Sequence, residues 1–311
     1  MALRTVTDEM ISSVVNRRSF VTGLGLAGLG AAAVGLSGCS SSSMAMAQTS
    51  TTSDTAAQIF TAALIAEDLA ITMYYNALVG GVIQDPNLAG SGGTALNVSS
   101  TGSAVNVAYL RAALAEEISH AVLLRTVLGL KPDGSADPVP ASFYFPTGTF
   151  NTLANFLPVL LALETAFVAA YMTAVQEFAS MAAGINSYSS TQANPAGGNY
   201  TTTQLVGFAK ISAAILGVEA EHRTLARAIP TPNGTTFAGL TVLPADDVCY
   251  ESTDTLTSVY NGSNSAAAAL GPFLATSATN SAAFSFSTAL AGATAGGMAS
   301  ITLACNGNPP S

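Results

Sequence analysis

The sequence predicts an all-α protein centred on a four-helix bundle, and three observations lead there. The first is its only two histidines, His120 and His222, each standing three residues after a glutamate, in Glu117-Ile-Ser-His120 and Glu219-Ala-Glu-His222. Residues three apart share a face of an α-helix, so each tetrapeptide aims a carboxylate and an imidazole at one point, as a pair of metal ligands must. With nine glutamates in 311 residues, one histidine meets this spacing by chance about 3% of the time, so two such hits are hard to ascribe to accident.

The second observation is the apolar periodicity around the motifs. Leu205, Phe208, Ser212, Ile215, Glu219, His222, Ala226 and Ile229 alternate at spacings of three and four, which sets the pair in the buried seam of a bundle helix. Leu110, Ala113, Glu117, His120, Leu124 and Val127 do the same. Two further segments carry a lone glutamate on the stripe: Phe60, Leu64, Glu67, Ile71, Tyr74, Leu78, and Leu157, Leu161, Glu164, Val168, Tyr171, Val175. In each, a tyrosine follows the glutamate two turns later.

The third observation is duplication. Setting Glu67 on Glu164 brings Leu64 onto Leu161 and Tyr74 onto Tyr171, and setting Glu117 on Glu219 brings Arg125 onto Arg227. The chain reads as an internal repeat of a Glu helix followed by a Glu-x-x-His helix. A carboxylate on an apolar seam costs several kcal/mol unless paired or metal-bound. Four of them cannot be neutralised by two imidazoles; two divalent cations suffice.

Taken in order, the first helix runs from about Asp54 to Val79 and stops at Gly80-Gly81, and the Gly, Ser and Asn-rich run to Gly102 is a loop. The second covers about Ser103 to Leu128, with Gly129 as its C-cap and Pro132 beyond. Residues 130 to 151, with four prolines and the cluster Phe143-Tyr144-Phe145, form a long crossover. The third helix runs from about Thr152 to Ala183, where Pro158 either kinks it or marks its true first turn. The fourth runs from about Thr201 to Ile229 and is stopped by Pro230 and Pro232. Beyond it, 231–311 is rich in Ala, Ser, Thr and Gly, with no persistent strand or helix pattern except around Ser287 to Ala304. It is expected to wrap the bundle.

The glutamate and Glu-x-x-His pattern resembles the ferritin-like di-iron carboxylate four-helix bundles, whose ligands are a Glu from each of two helices and Glu-x-x-His from the other two. The match covers about residues 54 to 230, with a long second-to-third (B–C) crossover and an irregular C-terminal extension at 231–311. The resemblance implies a dinuclear metal site of Glu67, Glu117, His120, Glu164, Glu219 and His222, with Glu67 and Glu164 terminal, Glu117 and Glu219 bridging, and one histidine on each ion. The ligand chemistry suits two iron ions, or manganese, better than copper(I), and such sites leave positions open for O₂ or peroxide.

The N-terminus adds a second signal. Asn16-Arg17-Arg18-Ser19-Phe20 resembles the twin-arginine export motif, and Val21 to Gly38 is an uncharged Gly, Ala and Leu-rich stretch, so 1–38 reads as a signal peptide. It ends in Leu36-Ser37-Gly38-Cys39, which resembles a lipobox. Cys39 would then be lipidated, residues 39–53 a flexible tether, and the membrane a partner through that anchor. The alternative is cleavage after Ala45-Met46-Ala47, which releases a soluble exported protein. An exported bundle of this kind is similar to the bacterial ferritin-like domain proteins akin to desiccation-related proteins; periplasm or cell envelope is the location this implies.

Net charge is −9, and with few, scattered Lys and Arg nucleic acid is excluded as a partner. Cys249 and Cys305 remain beside Cys39. In an exported chain they are expected to pair, which would stabilise the fold by about 4 kcal/mol; two separate buried thiols are the alternative.

Other residues have readings of their own. Tyr74 and Tyr171, about 10 Å along the axis from their glutamates, are core tyrosines bonded to neighbours, or else radical or proton donors. Glu116 and Glu221, about 100° and 200° round from Glu117 and Glu219, read as surface groups or partners of the ligands; Arg125 and Arg227, about 140° from their histidines, as solvent-facing. Two functions follow: a di-metal oxidoreductase or ferroxidase-like protein, or a non-enzymatic stress protein whose metal site is structural. A homodimer stays open, and a storage cage fits poorly with an anchor and long loops.

Overall fold

The computed structural model describes residues 54–85, 105–184, 199–229 and 256–296. The signal peptide, Cys39, the tether, Cys249 and Cys305 lie outside the described residues.

Helix α1 (Ala56–Val79) starts where Thr55 accepts from the Gln58 backbone N–H at 3.1 Å and the Gln58 side chain accepts from the Thr55 N–H at 2.8 Å. This reciprocal cap satisfies two of the helix's orphan donors. It ends at Gly80, where a Cβ would lie 2.8 Å from the Phe150 carbonyl oxygen, and the Gly81 N–H donates to that oxygen at 2.9 Å. Only glycine allows the approach. A single 3₁₀ turn, Gly81–Gln84, follows where the sequence suggested loop.

Helix α2 (Val105–Leu128) closes as expected at Gly129, whose φ is 68°. The Leu130 N–H reaches the Arg125 carbonyl at 2.8 Å and the Gly129 N–H the Thr126 carbonyl at 3.2 Å, the paired bonds of a Schellman cap. Helix α3 (Leu153–Ala182) begins at the cap Thr152 and carries Pro158 in its second turn. Helix α4 (Thr202–Ala228) repeats α1's cap with Thr201 and Gln204. In the core, α1 packs along α2 and α3 along α4, and the two pairs meet through α1–α3 and α2–α4 contacts. Several helices are apolar and long enough to cross a membrane, but α1 buries 89% of its most apolar window inside the bundle.

The crossover and the extension hold more regular structure than the sequence suggests. Strand β1 (Ser142–Pro146) pairs antiparallel with β2 (Asn280–Ser285), Phe143 opposite Phe284 and Phe145 opposite Ala282. Phe143 and Phe145 point inward, and Phe145 meets Phe150, Phe273 and Phe284 with ring centroids 5.1, 5.7 and 5.8 Å apart. Before β2 comes α5 (Ala266–Leu274), after it α6 (Phe286–Ala295), which packs on α1. At Gly292 of α6 any Cβ would collide with the Tyr75 ring. Buried Asp54 ties the extension to the start of α1, accepting from the Tyr260 and Asn261 N–H groups at 2.5 and 2.9 Å. Residues 256–296 of the extension thus pack on the bundle through aromatic and backbone contacts.

Candidate metal centre

All six predicted ligands converge at the centre of the bundle. Glu67, Glu117, Glu164, Glu219 and His222 are at most 2% exposed, and His120 is 9% exposed. Their side chains fall into two sets, Glu67, Glu117, His120 and Glu219, and Glu117, Glu164, Glu219 and His222, each with one ligand atom per residue within 4.8 Å of the others. Glu117 and Glu219 belong to both.

The contacts also fix helix direction. Tyr74 donates to Glu164 at 2.5 Å, and Tyr171 donates to Glu67. Each tyrosine lies seven residues after the glutamate of its own helix, so α1 and α3 run antiparallel, each tyrosine level with the other helix's carboxylate. The same exchange relates α2 and α4: His120 Nδ1 lies 3.4 Å from Glu219 Oε1, and His222 Nδ1 3.1 Å from Glu117 Oε1.

Both imidazoles present Nδ1 to the centre. His120 Nδ1 is 3.2 Å from Glu67 Oε2 and 3.4 Å from Glu117 Oε2; His222 Nδ1 is 3.6 Å from Glu219 Oε2 and 4.0 Å from Glu164 Oε2. Each shared glutamate therefore turns one oxygen to each histidine. The terminal glutamates divide differently: Oε1 of Glu67 and of Glu164 accepts from a tyrosine, while Oε2 faces inward.

The donor set fits metal ions. Both oxygens of Glu117 and of Glu219, Glu164 Oε2 and His222 Nδ1 are buried without a hydrogen bond. Orphaned acceptors of this kind cost about 1–3 kcal/mol each, more when charged. Without a cation, protons must take up the charge. Burial lowers the affinity of His120 for its proton, but Glu67, Glu117 and Glu219 outweigh burial and hold it well above the usual histidine range. His222 is raised likewise, by Glu116, Glu117 and Glu219 against burial. Burial pushes Glu67 and Glu164 well up, whereas at Glu117 burial is overcome by the two imidazoles beside it, His120 and His222, and the carboxyl is held low.

Several surrounding residues were only partly legible. Glu116 accepts from His222 Nε2 at 2.8 Å, so of the two readings open to it, it is the partner of a ligand; Glu221 is exposed. Half-buried Tyr109, which no pattern marks, donates to the His222 carbonyl at 2.7 Å and stands 3.3 Å from the Tyr74 hydroxyl. Tyr74 and Tyr171 are core tyrosines bonded to the terminal carboxylates. Arg125 corrects an expectation: it is not solvent-facing but 1% exposed, bonding Asp137 through Nε at 2.7 Å and Asp68 through a terminal nitrogen at 2.8 Å. The crossover folds over that side of α2 and brings Asp137 to it. Its repeat partner Arg227 is half-buried, and Thr165 stands where Asp68 stands in the first half.

Residues 55–194 match the family model described as Ferritin-like domain. The match takes in α1 to α3, and with them Glu67, Glu117, His120 and Glu164, but stops before α4. No curated protein and no solved structure matches the chain.

Proposed function

With residues 55–194 as a ferritin-like domain, we propose that the chain binds two hard divalent metal ions, iron or manganese, between the four helices. Glu67 and His120 would hold one, Glu164 and His222 the other, and Glu117 and Glu219, which belong to both sets, would be shared between them. One observation carries this: each shared glutamate turns one oxygen toward each histidine, at 3.4 and 3.1 Å for Glu117 and 3.4 and 3.6 Å for Glu219.

Such a pair of ions supplies redox chemistry toward O₂ or peroxide. The chain's own residues prepare the site for it. The Glu116 carboxylate accepts the His222 Nε2 proton, which leaves Nδ1 as the nitrogen free for a metal and fixes the ring. Tyr74 and Tyr171 orient the terminal carboxylates and keep a hydroxyl proton one hydrogen bond away from each. The six side chains are nearly withdrawn from solvent, so these interactions act at low effective dielectric. An exported, membrane-tethered setting belongs to the proposal through residues 17–39 alone.

Anaerobic titration of the mature protein with iron(II), then exposure to air, tests it. The expected result is about two ions per chain and an oxo-bridged absorption. Absence of stoichiometric binding refutes it, and binding that raises Tm with no turnover of iron, peroxide or O₂ makes the site structural.

A further inference from the structure

Against one half of the site lies a cavity that the ligands do not use. Its volume is about 20 Å³, with walls from Ala63 and Ala66 of α1, Ala170, Tyr171 and Ala174 of α3, and Ser212 of α4. It exists because alanines face alanines: where most bundle positions interdigitate large side chains, here both helices present a methyl group and the gap is left unfilled. Ala66 directly precedes Glu67, and Ala63 lies one turn before it. Tyr171 joins the two places, its ring in the cavity wall and its hydroxyl donating to Glu67.

The roof comes from the extension. Val259, Ala266 and Leu270 line the cavity on the outer side, held there by the Asp54 bonds to Tyr260 and Asn261 and by the Ser265 cap of α5. A bundle of four helices alone would leave this gap open to water.

The volume would admit one water by size, since about 10–15 Å³ suffices. Chemistry argues against water. A buried water needs two to four polar partners. Ser212 and Tyr171 are the two polar side chains in the wall, and the Tyr171 proton is already given to Glu67. An apolar diatomic needs no partner, and apolar cavities that stay dry take up apolar guests.

We infer that this cavity is an apolar holding site for dioxygen beside the Glu67 half of the metal site, roofed in part by Val259, Ala266 and Leu270 of the extension. The dioxygen assignment rests on the two-ion reading; the cavity's affinity for an apolar gas does not.

Xenon is the probe, because it enters dry apolar cavities and is visible by diffraction. Crystals of the mature protein under xenon should show a xenon atom between Ala63, Ala170 and Tyr171, and none in Ala63→Leu, whose added carbons occupy the space. Ala63→Val is the milder variant should Ala63→Leu fold poorly. In either variant iron uptake should stay at the wild-type stoichiometry, while the reaction of the loaded protein with O₂ slows several-fold and its reaction with hydrogen peroxide, a polar oxidant, does not. An ordered water in the cavity, no xenon in the wild type, or an O₂ rate indifferent to filling overturns the inference. Xenon binding without iron uptake would instead refute the two-ion reading and leave an apolar gas site standing.

Discussion

Removing a bridging carboxylate should cost more metal than removing a histidine, and the geometry says by how much. His120 serves one ligand set, whereas Glu219 serves both, with Oε1 3.4 Å from His120 and Oε2 3.6 Å from His222. An ion held at a hundred times its Kd stabilises the fold by about 2.7 kcal/mol. At about 2–4 °C per kcal/mol for a domain of this size, each ion raises Tm by about 5–11 °C. His120→Ala should therefore forfeit one ion and one such increment, and Glu219→Ala should forfeit both. Glu221→Ala, two residues on but exposed, should forfeit neither. The assay is metal analysis together with thermal melts of each variant with and without iron(II), taking the metal-dependent rise within each variant so that effects on the bare fold cancel. If Glu221→Ala cost as much metal as Glu219→Ala, the placement of Glu219 on the inner face of α4 would be wrong. If Glu219→Ala kept one ion at full affinity, Glu219 would not be shared.

The metal-free protein should lose stability as pH rises, from about 4.5 through Glu67 and Glu164 and further from about 6.5 through both histidines, because these groups keep protons in the folded state that the unfolded chain has released; the slope is about 1.4 kcal/mol per pH unit for each proton retained. Glu117, held low, acts in the opposite sense, its contribution being lost only as pH falls below the usual carboxylate range, so urea melts of metal-free protein at pH 6 and 9 that give equal stability would refute this charge assignment. Arg125→Leu, which strands Asp68 and Asp137 in the core, should cost about 3–5 kcal/mol in denaturant unfolding, and a loss under 1 kcal/mol would show that the two carboxylates do not need it. Intact mass of the native protein should show a diacylated Cys39 as first residue, abolished in Cys39→Ser; a mass beginning at Gln48 would establish cleavage after Ala47 instead.

The convergence of the six side chains was legible because helical periodicity is local. Three residues of separation set Glu117 and His120 on one face whatever else the chain does, and the two-turn interval between Glu67 and Tyr74 predicted a shared stripe in the same way. What that stripe would meet was not local. An angle of 140° from His120 is correct for Arg125, yet it faces the core because α1 supplies Asp68 and the crossover supplies Asp137. Strand β2 reads Asn-Ser-Ala-Ala-Phe-Ser, with no alternation to announce it; it is a strand because β1 offers Phe143 and Phe145 as a partner, and pairing across 134 or more residues leaves no mark on composition.

The repeat makes a further point about the site. Its inner shell is symmetric, each histidine facing a terminal glutamate held by a tyrosine and sharing two others, but what surrounds that shell is not. His222 Nε2 has Glu116 as its acceptor, while the position that corresponds across the repeat is Val218. Tyr109, whose hydroxyl extends the Tyr74 and Glu164 contacts to the His222 carbonyl, has Ile211 as its counterpart. On the other side, Tyr171 opens not to a hydroxyl chain but to the alanine-lined cavity. A carboxylate behind an imidazole raises the basicity of that ligand, and the second tyrosine ties the backbone carbonyl of His222 to the Tyr74 hydroxyl. Symmetric ligation thus sits between a hydrogen-bonded side behind His222 and an alanine-lined side behind Tyr171. Two ions bound here would differ in potential and in what can reach them, a distinction arising from substitutions outside the ligand set.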